Sequence, residues 1–183
     1  MSNIRLNKTY NDLQVTISLA RVPTSNAPSW TTYDFGIGSG IAFAVLGFGV
    51  GEYLDLYVQT THTVELNTAI ENHVHWTIPS DDTGKKIKFQ IDVVAAAIGA
   101  DFAVPAGSPY SNEHTLTGVE AGRHNYFEIG RIAAFNSTVS AIAIVRLSRI
   151  AASSAEYGSD VYVLFNDCHV IQDTLGSITE TSK

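Results

Sequence analysis

The chain has 183 residues, enough for one well-cored domain, and nothing in its composition resembles a linker that would divide it. A net charge of −7 and the lack of any Lys or Arg run exclude a nucleic-acid binder, and a single cysteine, Cys168, excludes an intrachain disulfide or a zinc knuckle. Charged residues are only 16% of the chain, against roughly 25% in an ordinary soluble protein, so part of the surface is expected to face a partner.

Period-two alternation dominates, and no amphipathic helix of useful length is present. Residues 1–12 are polar and read as an irregular N-terminal arm. The first strand is expected over Leu13 to Arg21, with Leu13, Val15, Ile17 and Leu19 on one face. Val22 to Gly40, rich in Pro and Gly, reads as irregular and as part of the same arm, so that residues 1–35 are arm plus first strand. Strands are expected at Ile41 to Phe48 and Tyr53 to Thr60. The outer face of the second carries Tyr53, Asp55 and Tyr57 and suggests a contact surface. Asn72 to Ile78 follows, and after the turn Ser80-Asp81-Asp82-Thr83-Gly84 comes Lys86 to Ala95, with Ile87, Phe89, Ile91 and Val93 inward. Lys85, Lys86 and Lys88 belong to the solvated face of that hairpin.

Gly99 to Asn112 is the longest loop, of the kind that carries contacts on a sandwich end. Glu113 to Val119, His124 to Gly130, Val139 to Ile150 and Val161 to Ile171 complete the set. Val139 to Ile150 and Val161 to Ile171 are apolar on both faces, which calls for a cover, preferably a neighbouring subunit. Residues 179–183 read as a frayed tail. The fold class is therefore all-β: an antiparallel two-sheet jelly-roll sandwich of about eight or nine strands, one domain over residues 1–183. Val74, Trp76, Ile87, Phe89, Ile91, Val145 and Phe165 are expected in its core. Met1-Ser2-Asn3 opens no secretory signal and every apolar stretch is broken short of a membrane span, so a soluble, cytoplasmically made protein with no membrane partner is expected.

His73 and His75 share one strand face, the spacing of a cupin metal site, and His169 is the one further ligand that the sequence suggests. The carboxylate expected four or five positions downstream is replaced by Pro79 and Ser80, Asn67 stands where a Gly should precede the pair, and after Pro105-Ala106-Gly107 the second motif has Tyr110 in place of His. The expectation is therefore no bound metal, no cofactor and no catalysis, with His73, His75 and His169 the ligands if a metal is present. The glycine segments Gly36 to Gly40 and Gly47 to Gly51 open no helix and are not phosphate loops. Asp81 and Asp82 read as turn residues, and Cys168 as a small buried thiol. Tyr53, Tyr57, Trp30 and Tyr33 are candidates for a sugar-binding platform.

Asn72-His73-Val74-His75-Trp76 resembles a "PHVHW" strand, and Asn166 to Asp173 with Gly176-Ser177 resembles a closing "DxHYQxDxxGS" strand. Asn26-Ala27-Pro28-Ser29-Trp30 and Arg146-Leu147-Ser148-Arg149 are similar to "NAPxW" and "RLxR" elements. Taken in this order, they resemble a family of tailed-bacteriophage virion proteins built as β-jelly rolls. The resemblance implies a structural, non-enzymatic virion protein. The compact size favours the capsid exterior over a fibre, as a decoration or cement protein forming a small homo-oligomer, expected as a homotrimer on the major capsid protein. The docking residues expected on the arm are Arg5, Lys8, Tyr10, Arg21, Trp30 and Tyr33, since Arg and aromatic side chains are enriched at interfaces. Alternatives are a head-fibre or tail receptor-binding module that contacts carbohydrate, and a cupin-type metal-dependent enzyme.

Overall fold

The computed structural model describes residues 5–17, 20–36 and 38–176, without the side chains of residues 5–7, 16 and 174. The expected tail at 179–183 lies outside the described residues, as do Ser18, Leu19, Ile37 and Ser177. Ten strands form two antiparallel sheets packed as a jelly-roll-type sandwich. They are β1 Arg5–Thr16, β2 Ser29–Tyr33, β3 Phe43–Phe48, β4 Tyr53–Gln59, β5 Ile70–Thr77, β6 Lys86–Ala96, β7 Tyr110–Thr115, β8 Asn125–Ile132, β9 Ile142–Ile150 and β10 Val161–Thr174. The six-stranded sheet runs β2-β3-β10-β5-β8, with β1 also paired to β10, and the four-stranded sheet runs β4-β9-β6-β7. No helix among the described residues is long and apolar enough to cross a membrane.

Alternation explains the core. Along β6 every second residue from Ile87 to Val93 is buried, and β4 and β9 contribute Leu54, Leu56, Val58, Ala143, Val145 and Leu147 in the same way. The six-stranded sheet answers with Leu46, Phe48, Ile70, Val74, Trp76, Ile129, Val161 and Val163. Six of the seven expected core residues are buried: Val74, Trp76, Ile87, Phe89, Ile91 and Val145. Phe165 is different. A register irregularity between Val163 and Phe165 reverses the facing of β10, so Asn166, Cys168 and Val170 point inward and Phe165 is only half-buried, its ring stacked on His75.

The irregular N-terminal arm is corrected in part. Residues 5–16 form a strand that pairs antiparallel with the C-terminal half of β10, from Thr16↔Phe165 to Arg5↔Thr174. Beside it on the same edge of β10, β3 pairs with the N-terminal half. Polar composition hid β1, because its neighbour satisfies its backbone while most of its side chains from Lys8 to Gln14 remain in water. Within the segment read as irregular, Ser29–Tyr33 is a strand at the sheet edge beyond β3.

Arg149 fixes one end of the sandwich. Its side chain is fully buried and donates to the carbonyls of Phe48, Ser159 and Tyr157 and to Glu156 Oε1 at 2.9 Å, tying the 151–160 loop to β3. Within the RLxR segment, Arg146 faces outward, and Leu147 and Arg149 face inward.

Candidate functional site

Each sheet presents one polar outer face with chemistry on it. On the four-stranded sheet, register brings Asp55 of β4, Arg146 of β9 and Asp92 of β6 into one row across three strands. The next row is Tyr57, Ile144 and Val94. Arg146 donates to Asp55 through two bonds, Nε to Oδ1 at 2.8 Å and Nη2 to Oδ2 at 3.1 Å, and lies over the Tyr53 ring at 4.3 Å. The bidentate pair raises the guanidinium pKa further above its ordinary value. Gln90 Nε2 donates to Asp92 Oδ2 at 3.1 Å.

A groove of about 350 Å³ opens over this face. Its floor is Asp55, Arg146, Asp92, Val94 and Ile144, and its wall is Val104, Ser108 and Pro109 from the long loop before β7. The Ser108 hydroxyl accepts from the Val93 amide at 3.2 Å, and Ala95 pairs with Ala103, which holds that wall against β6. Ile144 on the apolar outer face of β9 thus lines a groove with a loop of its own chain, while Ile142 on the same face is 38% exposed. Tyr57 stands at the groove margin, 48% exposed, with the Arg21 guanidinium 5.2 Å from its ring.

Of the expected aromatic platform, Tyr53 and Tyr57 share this face. Trp30 and Tyr33 do not: they lie on β2 of the other sheet, where the Tyr33 hydroxyl donates to the Ile78 carbonyl at 3.1 Å. The expected docking residues are also dispersed. Arg5, Lys8 and Tyr10 are on β1, with Lys8 paired to Glu65 at 2.8 Å and Tyr10 exposed near His169; Arg21 bridges to Asp55 through its backbone on the four-stranded side. Strand pairing at both ends of the segment separates them.

On the six-stranded sheet the two motif strands, β5 and β10, are neighbours. Their outward residues form a grid with β1 and β8: Asp12, His169, Glu71 and Arg131 in one row, Gln14, Asp167, His73 and Glu128 in the next, then Phe165, His75 and Tyr126. Asp167, 2% exposed, lies between two histidines, 3.1 Å from His75 Nε2 and 3.4 Å from His169 Nε2. His169 Nε2 also meets Asp12 Oδ1 at 3.0 Å, and the rings of His73 and His169 are 4.0 Å apart. Burial and the neighbouring His169 hold the His73 pKa below its ordinary value. His75 uses both ring nitrogens, with Nδ1 2.7 Å from His124 Nε2. The structure therefore gathers His73, His75 and His169 on one face and adds Asp167, which strand register brings to His73 and His75, and Glu71, which stands two residues before His73 on the same face of β5.

The remaining motifs are structural. The amides of Gly36, Gly38 and Gly40 and the Ser39 hydroxyl all donate to the Asp34 carboxylate, whose pKa they hold low, and Gly49 donates to Glu52 at 2.6 Å. Each glycine segment is thus closed on a carboxylate of its own. Asp81 accepts from the Ala121 amide at 2.8 Å, joining two turns. Cys168 is buried, and desolvation pushes its thiol up to about 12, so it is an inert packing residue.

No family model matches the chain, and no curated protein matches it. Among solved structures it is similar to the carbohydrate-binding module TmCBM61 in complex with β-1,4-galactotriose, at 11% identity over 90% of this chain and 88% of that one, TM-score 0.33. It is also similar to a CBM28 module specific for non-crystalline cellulose, at 9% identity over 86% and 88%, TM-score 0.38. A third is the K2 cleaved adhesin domain of Lys-gingipain, at 16% identity over 90% and 98%, TM-score 0.25. At such scores the likeness assigns neither a ligand nor a family.

Proposed function

We propose that the protein is a non-catalytic, carbohydrate-contacting module of a phage virion, and that a short glycan lies in the groove over Asp55, Asp92 and Arg146. The groove itself carries this reading. Sugar hydroxyls are recognised by fixed donors and acceptors, and sugar C–H faces by apolar and aromatic surface. The Asp55–Arg146 pair is locked in one geometry, Asp92 adds an acceptor beside it, and Val94, Ile144 and Tyr57 supply the apolar margin. About 350 Å³ is at the small end of ligand pockets and fits one or two hexose units. The Asp55 carboxylate is occupied by two hydrogen bonds from Arg146, an arrangement suited to fixed hydrogen bonding of a ligand. The virion setting rests on the motif resemblance. Screening the full chain against bacterial surface glycans should give binders whose signal is lost in Arg146→Ala; binding unchanged in that variant would remove the groove from the account.

A second reading is supported by the β2–β3 edge, where Trp30, Ile41 and Phe43 are 57%, 62% and 60% exposed beside an unpaired strand edge. Apolar side chains at an open edge suit a subunit contact, as a capsid-decorating homotrimer would require. Light scattering tests it: an oligomer that falls to monomer in Phe43→Asp supports this edge, and a monomeric wild type opposes it.

A further inference from the structure

The outer face of the six-stranded sheet, opposite the groove, carries ligand chemistry of its own. One donor atom each from Glu71, His73 and His169 lie within 4.8 Å of one another. His73 is 5% exposed and its buried Nδ1 has no hydrogen-bond partner. A buried polar atom left in that state is costly, and a coordinated cation removes that cost. Asp12 and Asp167 add negative charge around His169, and Arg131, the cation beside Glu71 at 3.7 Å, has a largely solvated side chain that is cheaply displaced.

We propose that Glu71, His73 and His169 bind one divalent transition cation of the zinc class, tying β5 to β10. Two imidazoles and a carboxylate are a borderline nitrogen and oxygen set that suits zinc or cobalt over calcium or magnesium. Glu71 and His73 are two apart on β5 and therefore on one face, and His169 is the cross-strand partner of Glu71. Asp167 orients His169 from beside it, as a carboxylate commonly does for a ligating histidine. Ligand bonds of about 2 Å require the three donors to close in slightly. Glu71 and His169 are both half-buried. This departs from the sequence expectation of no metal, for a definite reason: the carboxylate missing downstream of the histidine pair stands two residues upstream of it. It departs as well from the trio His73, His75 and His169, because both nitrogens of His75 are engaged by Asp167 and His124.

A second grouping, Asp12, Asp167 and His169, shares one ligand with this site. Its members already satisfy one another, and it lacks the unpartnered His73. The test therefore separates the two. The full chain is stripped with chelator, titrated with Zn²⁺ or Co²⁺ and dialysed. The expected result is one retained equivalent, visible Co²⁺ absorption and a thermal midpoint raised by Zn²⁺. His73→Ala and His169→Ala should lose the equivalent, Glu71→Gln should weaken it by at least about tenfold, and Asp12→Asn and His124→Ala should keep it. Should His73→Ala fail to fold by circular dichroism, Glu71→Gln decides. No retained metal in the wild type, or retention in the His73 variant, overturns the site; retention in His73→Ala with loss in both Asp12→Asn and His169→Ala would transfer it to the other grouping.

Discussion

Asn72 of β5 and Asn166 of β10 exchange two side-chain hydrogen bonds, Asn72 Nδ2 to Asn166 Oδ1 at 2.8 Å and Asn166 Nδ2 to Asn72 Oδ1 at 3.0 Å. Both are fully buried, and Asn166 also donates to the His73 carbonyl at 2.6 Å. This pair lies beneath the histidine grid, on the opposite side of the same two strands. It locks the register that places His73 beside Asp167 and Glu71 beside His169, since a one-residue slip would turn the grid inward.

Removing one amide should cost more per residue than removing both. Asn72→Leu or Asn166→Leu leaves a buried partner unsatisfied and is expected to cost about 1–3 kcal/mol in urea unfolding. The double variant should lose clearly less than the sum of the singles. Strict additivity would mean that the two amides do not depend on each other.

The two arginines of the RLxR segment should separate stability from recognition. Arg149→Met leaves the carbonyls of Phe48, Tyr157 and Ser159 without their donor and removes the partner of half-exposed Glu156, and a loss of about 3–5 kcal/mol is expected. Arg146→Met removes an exposed pair and should cost under about 1 kcal/mol while abolishing glycan binding. Equal thermal shifts in the two variants would contradict this division.

Glu120 makes part of the stability acid-sensitive. Burial pushes its carboxyl up, but hydrogen bonds from Thr117, Val119 and Gly118 outweigh that and hold it at about 2, below an ordinary value of 4.5. Gly118 occupies φ +88°, a conformation that glycine adopts freely, and this turn aims the amides at the carboxylate. A depressed folded-state pKa gives stability that is full above the unfolded value and is lost as pH falls from about 4.5 through about 2. Denaturation midpoints followed through that window should fall less in Glu120→Gln than in the wild type. Parallel curves would assign the acid loss to other carboxylates.

Much of the fold was legible because β4 and β6 bury one face each, so Leu54 or Ile87 declares its side by alternation alone. Trp76 is buried as that pattern requires, and Trp76→Ala should cost about 3–5 kcal/mol by thermal melting. A change under about 1 kcal/mol would mean that the site repacks freely. The first eight residues of β1 and the whole of β2 escaped because edge strands need no apolar alternation: Lys8 to Asp12 are in water, and Ser29–Tyr33 follows a Pro-containing stretch, whereas the apolar end of β1 from Leu13 was legible. Phe165 was misplaced by a register irregularity, which no periodicity announces. The histidine pair was visible in the sequence and Asp167 beside it was not, since Asp167 reaches His75 across 92 residues of chain; Glu71 is at i−2 of His73 and was open to the same period-two reading. Asp92 gave no signal of a site, because its groove exists only once β9 and the Val104 to Pro109 loop lie beside it.

The most direct test of the central claim is a nuclear magnetic resonance titration of the ¹⁵N-labelled chain with short hexose oligosaccharides and host-surface glycans. Saturable shifts should concentrate on Asp55, Tyr57, Asp92, Val94, Ile144 and Arg146 and on the Val104 to Pro109 loop, and Arg146→Ala should abolish them. Absence of any saturable shift, or shifts confined to the six-stranded sheet, would contradict the account.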